Sequence, residues 1–309
     1  MIITQTPLRV SILGGNTDFA DYFKEYGGAV LTMAIDKYIY CIVKERFDDM
    51  IYINYSEKEK VSNVNEIKHD LVREVMRLVG VEKGIEITFL SDVPSEGSGL
   101  GSSSAVVVGL LNALHHYKHE PVTSRQLAEE ACRIEIDILK KPIGYQDQYA
   151  IAFGGLNLIE FGKEIKVTPI EANIGYLMLF YTGVTRKADN ILAKMKLNNE
   201  ILDKTKELVY EFIHLLPFDN LLGLGSLLEE YWYLKRKLNT SVTTVEIEEM
   251  NSKARELGSL GAKVVGAGGG GFLLVVVPEE RQKKFRQNFN YRELPFGLSK
   301  DGSKVIFNI

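Results

Sequence analysis

The stretch that most constrains this chain is Pro94-Ser-Glu-Gly-Ser-Gly-Leu-Gly-Ser-Ser-Ser-Ala105. Glycines at Gly97, Gly99 and Gly101 precede hydroxyls at Ser102, Ser103 and Ser104, and the apolar run that follows begins a helix. Glycine lets the backbone pass close to an anion, and a helix start offers unpaired N–H groups and a positive dipole end. The segment reads as a cradle for phosphate, with a nucleotide as the first ligand to consider. A glycine turn with serine caps would look the same in isolation. Two commoner phosphate loops are excluded: the loop holds no lysine and Gly-Lys-Ser/Thr occurs nowhere in the chain, and the dinucleotide fingerprint would need glycine where Ser102 stands.

The surrounding pattern is mixed. Residues 2–13 read as a strand broken near Pro7 and ending at Gly14-Gly15, Asp18–Tyr26 as a short helix closed by Gly27-Gly28, and Ala29–Arg46 with Ile51–Tyr55 as paired strands. An amphipathic helix over Ile67–Val79 and a strand over Ile85–Leu90 put the cradle between a strand and a helix that runs to about Tyr117. Further on come helices over Ser124–Leu139 and Gln146–Phe153, a hairpin over Leu156–Ile170, and a buried strand after Tyr176. Helices then run to about Leu238, and strands flank Gly266–Gly271. This order predicts an α+β fold with an N-terminal domain over 1–172 and a C-terminal domain over 173–309.

The totals exclude several function classes. With 45% hydrophobic and 25% charged residues and a net charge of −4, there is no broad basic field for nucleic acid or an anionic membrane, so any anion is held locally. Cys41 and Cys132 form no CxxC pattern, which speaks against a disulfide framework or a zinc site. The N-terminus lacks a signal-peptide pattern, and the longest uninterrupted aliphatic or aromatic run, Phe272–Val277, is too short to span a bilayer. A soluble, cytoplasmic protein is expected, without nucleic-acid or membrane partners, as a monomer or homodimer.

Several side chains could carry chemistry. Gly144-Tyr-Gln-Asp147 sets a carboxylate at a helix start, either as a cap or as a base that receives an attacking hydroxyl's proton. Glu135, in the preceding helix, is either a solvated charge or a single-carboxylate Mg²⁺ ligand. Gly14-Gly-Asn16-Thr17-Asp18 carries groups suited to polyol hydroxyls, with Asp18 alternatively capping the helix behind it. Gly266–Gly271 formally fits GxGxxG, but a strand follows it, so it is either a tight turn or a flat loop packed on the cradle or substrate. His115, His116 and His119 read as a solvated helix end rather than a metal site, and Lys235-Arg-Lys as a solvated helix face.

Taken together, Pro7-Leu-Arg9…Gly14-Gly-Asn-Thr-Asp18-Phe, Pro94…Gly99-Leu-Gly-Ser-Ser-Ser-Ala105 and Gly266-Ala-Gly-Gly-Gly-Gly-Phe272 resemble the three signature motifs of the GHMP small-molecule kinases. The first motif and Tyr181-Thr-Gly-Val-Thr-Arg186-Lys-Ala188 resemble the sugar-kinase branch, most of all heptose 7-phosphate kinases and the kinase domain of fucokinases. The resemblance implies a ribosomal-protein-like N-terminal half, a ferredoxin-like C-terminal half, and ATP with Mg²⁺ in the cleft between them. Pro94, Gly97, Gly99, Leu100, Gly101, Ser102, Ser103 and Ser104 would hold the nucleotide, and Glu135 with one serine, Ser103 or its neighbour Ser102, would hold the metal. Asp147 would be the base and Arg9 its electrostatic partner. Asn16, Thr17, Asp18, Gly269 and Gly270 would face the substrate, a small sugar phosphate whose distal phosphate Arg186 would meet. Free fucose, galactose or an isoprenoid precursor are the alternative acceptors, and a non-catalytic ATP and sugar sensor would keep the same fold.

Overall fold

The structure, a computed structural model, describes residues 1–94, 97–185, 191–192, 198–218 and 220–309. In chain order the elements are β1 (Ile2–Leu13), α1 (Ala20–Tyr26), β2 (Gly28–Glu45), β3 (Ile51–Asn54), β4 (Lys58–Val61), α2 (Asp70–Val79), β5 (Ile85–Ser91), α3 (Ser102–Tyr117) and α4 (Ser124–Cys132). They continue with a π-helical turn (Arg133–Ile138), α5 (Gln146–Phe153), β6 (Leu156–Phe161), β7 (Lys166–Pro169) and β8 (Leu177–Tyr181). The last are α6 (Asn199–Leu215), α7 (Leu221–Leu238), α8 (Val245–Glu256), β9 (Gly261–Val264), β10 (Phe272–Val276), α9 (Glu279–Asn288) and β11 (Lys304–Asn308).

Two sheets organise these elements. The larger runs β11-β1-β2-β5-β3-β4, and the first half of the long β2 also pairs with β6, which pairs with β7. The smaller runs β8-β10-β9, antiparallel throughout. The apolar helix α3 is buried along most of its length between the large sheet and α2, α4 and α5. A second apolar cluster, around Trp232, Phe180 and Phe285, lies with the small sheet. The final strand β11, from the expected C-terminal half, pairs with β1 in the large sheet.

Two sequence expectations change here. Pro7 does not break the first strand. The ladder passes from Pro7–Tyr38 to Leu8–Ile35, so Asp36 and Lys37 bulge from β2 beside a residue that has no N–H to give. Nor do β2 and β3 pair with each other. β5 lies between them, antiparallel to β2 and parallel to β3, with β4 and α2 forming the crossover. Pairing across a crossover depends on residues far apart in sequence, which strand periodicity does not report.

Helix α7 is seated on β9 by two facing glycines. A Cβ at Gly225 would lie 2.3 Å from the Leu260 carbonyl oxygen, and one at Gly261 would lie 2.2 Å from that of Gly225. Because both contacts are to backbone, an added methyl must push the helix outward. Gly225→Ala is expected to lower stability by about 3 kcal/mol, the upper end for overpacking, in urea unfolding with an unchanged slope.

Candidate active site

The two glycine loops meet. Gly97, Gly99 and Gly101 all have left-handed backbone, with φ of 69°, 73° and 79°. A Cβ at Gly266 would sit 2.6 Å from Gly99 Cα, and one at Gly271 would sit 2.4 Å from the Ser98 carbonyl oxygen. The second run is therefore a flat surface pressed on the first, and not only a turn joining β9 to β10. Ala105 makes the first helical bond of α3, to Gly101 O at 2.9 Å, so the N–H groups of Ser102, Ser103 and Ser104 have no partner within the helix.

Arg9 joins this loop to the start of α5. Its main-chain N–H donates to Leu100 O at 2.9 Å and its Nη1 to Gly99 O at 2.6 Å. Its Nε donates to Asp147 Oδ1 at 2.6 Å, and Nη2 donates to Oδ2. The Arg9 side chain is 7% exposed and that of Asp147 23%, so the fork is buried on the cation's side and open on the carboxylate's. This bidentate geometry fixes the carboxylate plane.

Asp18 is 1% exposed and does not cap α1, whose preceding residue makes no side-chain cap. Its Oδ1 accepts from Asn16 N at 2.9 Å and its Oδ2 from Gln146 N at 3.1 Å, so it caps α5, which is distant in sequence. Gly144 makes room for this, since a Cβ there would lie 2.0 Å from Oδ2. Burial pushes the Asp18 carboxyl up to about 6, the Gln146 N–H opposes this, and the Asp147 charge adds to it. Asn16 adopts a left-handed φ of 80° and lines the cleft, with its Nδ2 buried and unpartnered.

Glu135 is fully buried in the π-helical turn, where the expected helix over 124–139 changes its winding. Such turns re-aim a side chain at a site. Its Oε1 accepts from Ser103 Oγ at 2.7 Å, and its Oε2 accepts from Ser104 Oγ and Gln148 Nε2, both at 2.7 Å. Burial raises its carboxyl and these donors lower it, with burial the larger effect. The Ser103 hydroxyl backed by this carboxylate is an oxygen-only donor set with one charge, which fits a hard cation such as Mg²⁺.

These groups line one cleft of about 850 Å³, with Arg9, Asn16, Asp18, Ser102, Ser103, Ser104, Glu135 and Asp147 in its wall. Pro94, Gly97, Gly99, Gly101 and Gly270 line it as well. Thr17, Leu100 and Gly269 do not. The Thr17 hydroxyl is spent on Gly14 O and Ala29 O at 2.8 and 2.9 Å, Leu100 is fully buried, and Gly269 N donates to Val242 O. Arg186 lies outside the described residues.

Other residues enter unannounced. Lys235 is not on a solvated face: it is 3% exposed, lines the cleft beside Tyr231, and donates to Gly266 O. The signal was available, because Leu224, Leu228, Tyr231, Lys235 and Leu238 recur at helical spacing on the buried side of α7. Lys263, on β9, donates to Ser11 O and Ile12 O at 2.9 and 2.7 Å over the Tyr231 ring. His115 is likewise no solvated end, being buried between Glu120 and Glu130 at 3.1 and 2.7 Å. Among the described residues no cluster of His, Cys, Asp and Glu suits a metal, and no helix is long and apolar enough to cross a membrane.

Asp18 makes stability depend on pH. Its folded pKa lies above its unfolded value of 3.8, so its stabilising contribution is complete below 3.8 and lost as pH rises through about 6. Asp18→Asn removes that slope. Between pH of about 4 and 8 the stability difference is expected to move toward the variant by about 2–3 kcal/mol in urea unfolding.

Comparison with known proteins places the chain. Residues 65–155 match the family described as GHMP kinases N terminal domain, and residues 214–293 match GHMP kinases C terminal. The chain is 32% identical over 294 residues to a D-glycero-alpha-D-manno-heptose 7-phosphate kinase of Campylobacter jejuni, covering 86% of each. It is 27% identical over 318 residues to a galactokinase of Pyrococcus furiosus, again covering 86% of each. The crystal structure of a D-glycero-D-manno-heptose 1-phosphate kinase from Bacteriodes thetaiotaomicron superposes with a TM-score of 0.82 at 26% identity, covering 100% of this chain and 99% of that one. With paired glycine loops, a serine-lined helix start and an Arg–Asp fork in one cleft, and with this degree of likeness, the chain belongs to the GHMP kinases.

Proposed function

We propose that the protein transfers the γ-phosphoryl group of ATP, with Mg²⁺, to the anomeric hydroxyl of D-glycero-D-manno-heptose 7-phosphate, giving the 1,7-bisphosphate. The observation that carries the catalytic part is the fork of Arg9 on Asp147, open to the cleft on the carboxylate's side and tied to the phosphate loop through Gly99 O. The heptose rests on likeness to the Campylobacter enzyme.

ATP would lay its phosphates along the free N–H groups of Ser102–Ser104, with its base toward the apolar lining residues Ile39, Phe89 and Val93. Mg²⁺ would be met by the Ser103 hydroxyl, with Glu135 behind it accepting that hydroxyl's hydrogen bond; when bound it neutralises phosphate charge. Asp18 and Asn16 would take sugar hydroxyls. Arg186 is the candidate contact for the distal phosphate. Asp147 would accept the proton of the attacking hydroxyl, and Arg9 would hold the carboxylate in line and stabilise charge on the moving group. A loose transition state asks for positioning and charge more than covalent help.

Two measurements test this reading. An ADP-release screen over sugars and sugar phosphates is expected to favour the heptose 7-phosphate over free heptose, fucose, galactose and mevalonate by about 100-fold or more in kcat/KM. A free sugar turned over as well would replace the acceptor. Asp147→Asn is expected to lower kcat by about 100-fold or more with nucleotide affinity kept. Near-normal turnover in that variant would remove Asp147 from the chemistry.

A further inference from the structure

Helix α7 presents Tyr231 and Lys235, one turn apart, to the cleft from the half of the chain opposite the serine loop. The Lys235 ammonium has three N–H donors, and among the described residues one acceptor is found for it, the Gly266 carbonyl. Holding α7 to the glycine run needs only one neutral donor, and a buried ammonium is a costly way to supply it. The surrounding charges do not offset that cost. Arg9 on β1 and Lys263 on β9 repel Lys235, and Lys263 itself is 1% exposed and held by carbonyls. Of the carboxylates, Asp18 at the glycine turn attracts it, while Asp147 on α5 is already forked on Arg9. The Tyr231 hydroxyl on its own helix is pushed above its usual range by burial and carries no charge to balance it.

The position is specific as well as costly. Lys235 holds Gly266, Gly266 lies against Gly99, and the Gly99 carbonyl holds the guanidinium that grips Asp147. These contacts lead to the place where a phosphoryl group would pass between nucleotide and acceptor. The cradle has no lysine of its own.

We propose that Lys235 is a catalytic residue, its ammonium contacting the phosphoryl group in flight from the nucleotide to the hydroxyl held at Asp147; this rests on the phosphotransfer reading above. In the step, the acceptor oxygen forms a bond to the γ-phosphorus and the bond from that phosphorus to the β–γ bridging oxygen breaks. The electron pair leaves with ADP, and the hydroxyl proton goes to Asp147. Lys235 keeps its proton throughout and acts by charge.

A pH signature follows. Burial first, and Arg9 second, bring Lys235 down to about 7, so it is charged below that pH and neutral above it in the empty cleft. kcat/KM reports the free enzyme and is expected to fall above pH of about 7, whereas kcat, with phosphates bound beside the amine, holds to higher pH.

Steady-state kinetics of the full chain with Lys235→Met, Lys235→Gln and Lys235→Arg test this, with circular dichroism confirming folding. Met and Gln are expected to lower kcat by about 100-fold with both KM values changed by less than about threefold. Arg, always charged, is expected to recover most of the rate and to carry the alkaline limb of kcat/KM beyond pH of about 9. Gln can still donate to the Gly266 carbonyl, so wild-type turnover in that variant would make Lys235 a strut and overturn the proposal. A rise in acceptor KM at constant kcat would also overturn it, as would an alkaline limb unmoved in the Arg variant. Wild-type turnover with the screened acceptors tests the functional reading separately, since only ratios among Lys235 variants bear on this residue.

Discussion

The guanidinium of Arg9 is the interaction on which the rest of the site depends. It leaves the strand β1 and spends its donors on a carbonyl of the first glycine loop and on both oxygens of Asp147. Three elements distant in sequence are thereby set against one another: a strand, a loop and a helix start. Removing Asp147 would leave an uncompensated buried charge on Arg9, a loss larger than the pair's net contribution. The glycines serve this contact. Gly101 has no side chain to displace Arg9, whose Cγ would lie 3.1 Å from an added Cβ, and Gly266 lets the small-sheet half approach Gly99 without pushing it.

Much of this was legible in the sequence, because its determinants are local. Left-handed glycines, apolar periodicity and the serines at a helix start are written in a few adjacent residues. Thus the α+β class, the cradle between strand and helix, and the hairpin over 156–170 follow from pattern alone. What was illegible depends on distant partners. β5 inserts between β2 and β3 because of a crossover, and Asp18 caps α5, more than a hundred residues away, instead of the helix beside it. Lys235 departs from its local pattern for a different reason: three adjacent cations suggest a wet surface, while helical spacing puts the first of them on the buried face.

The buried charges show where the fold gives up stability. Asp18, Glu135, Lys235 and Lys263 are each shifted toward their neutral forms, with burial the largest cause in every case. Glu135 and Lys263 have their polar atoms met by neighbours, as supports for other groups should. Asp18, with one backbone N–H on each oxygen, and Lys235, with one carbonyl acceptor, line the cleft as Glu135 does, whereas Lys263 does not. Perturbed groups facing a cleft in this way mark function more strongly than perturbed groups enclosed by structure.

The division of charge between the two halves bears on how the cleft operates. The N-terminal half supplies the serine loop, the helix start, the Arg–Asp fork and Glu135, a set that offers an anion dipoles and hydroxyls more than full cations. The C-terminal half brings Lys235 on α7 and the glycine surface beneath it. Phosphate charge grows nowhere in phosphoryl transfer but is redistributed, so a fixed cation is most useful where that redistribution occurs. Because Gly225 and Gly261 seat α7 directly on β9, and Gly266 follows that strand, the cation's position is set by backbone contact and not by a flexible loop. Preorganisation of this kind costs the folded state the burial of an amine and spares the reaction the reorientation of one.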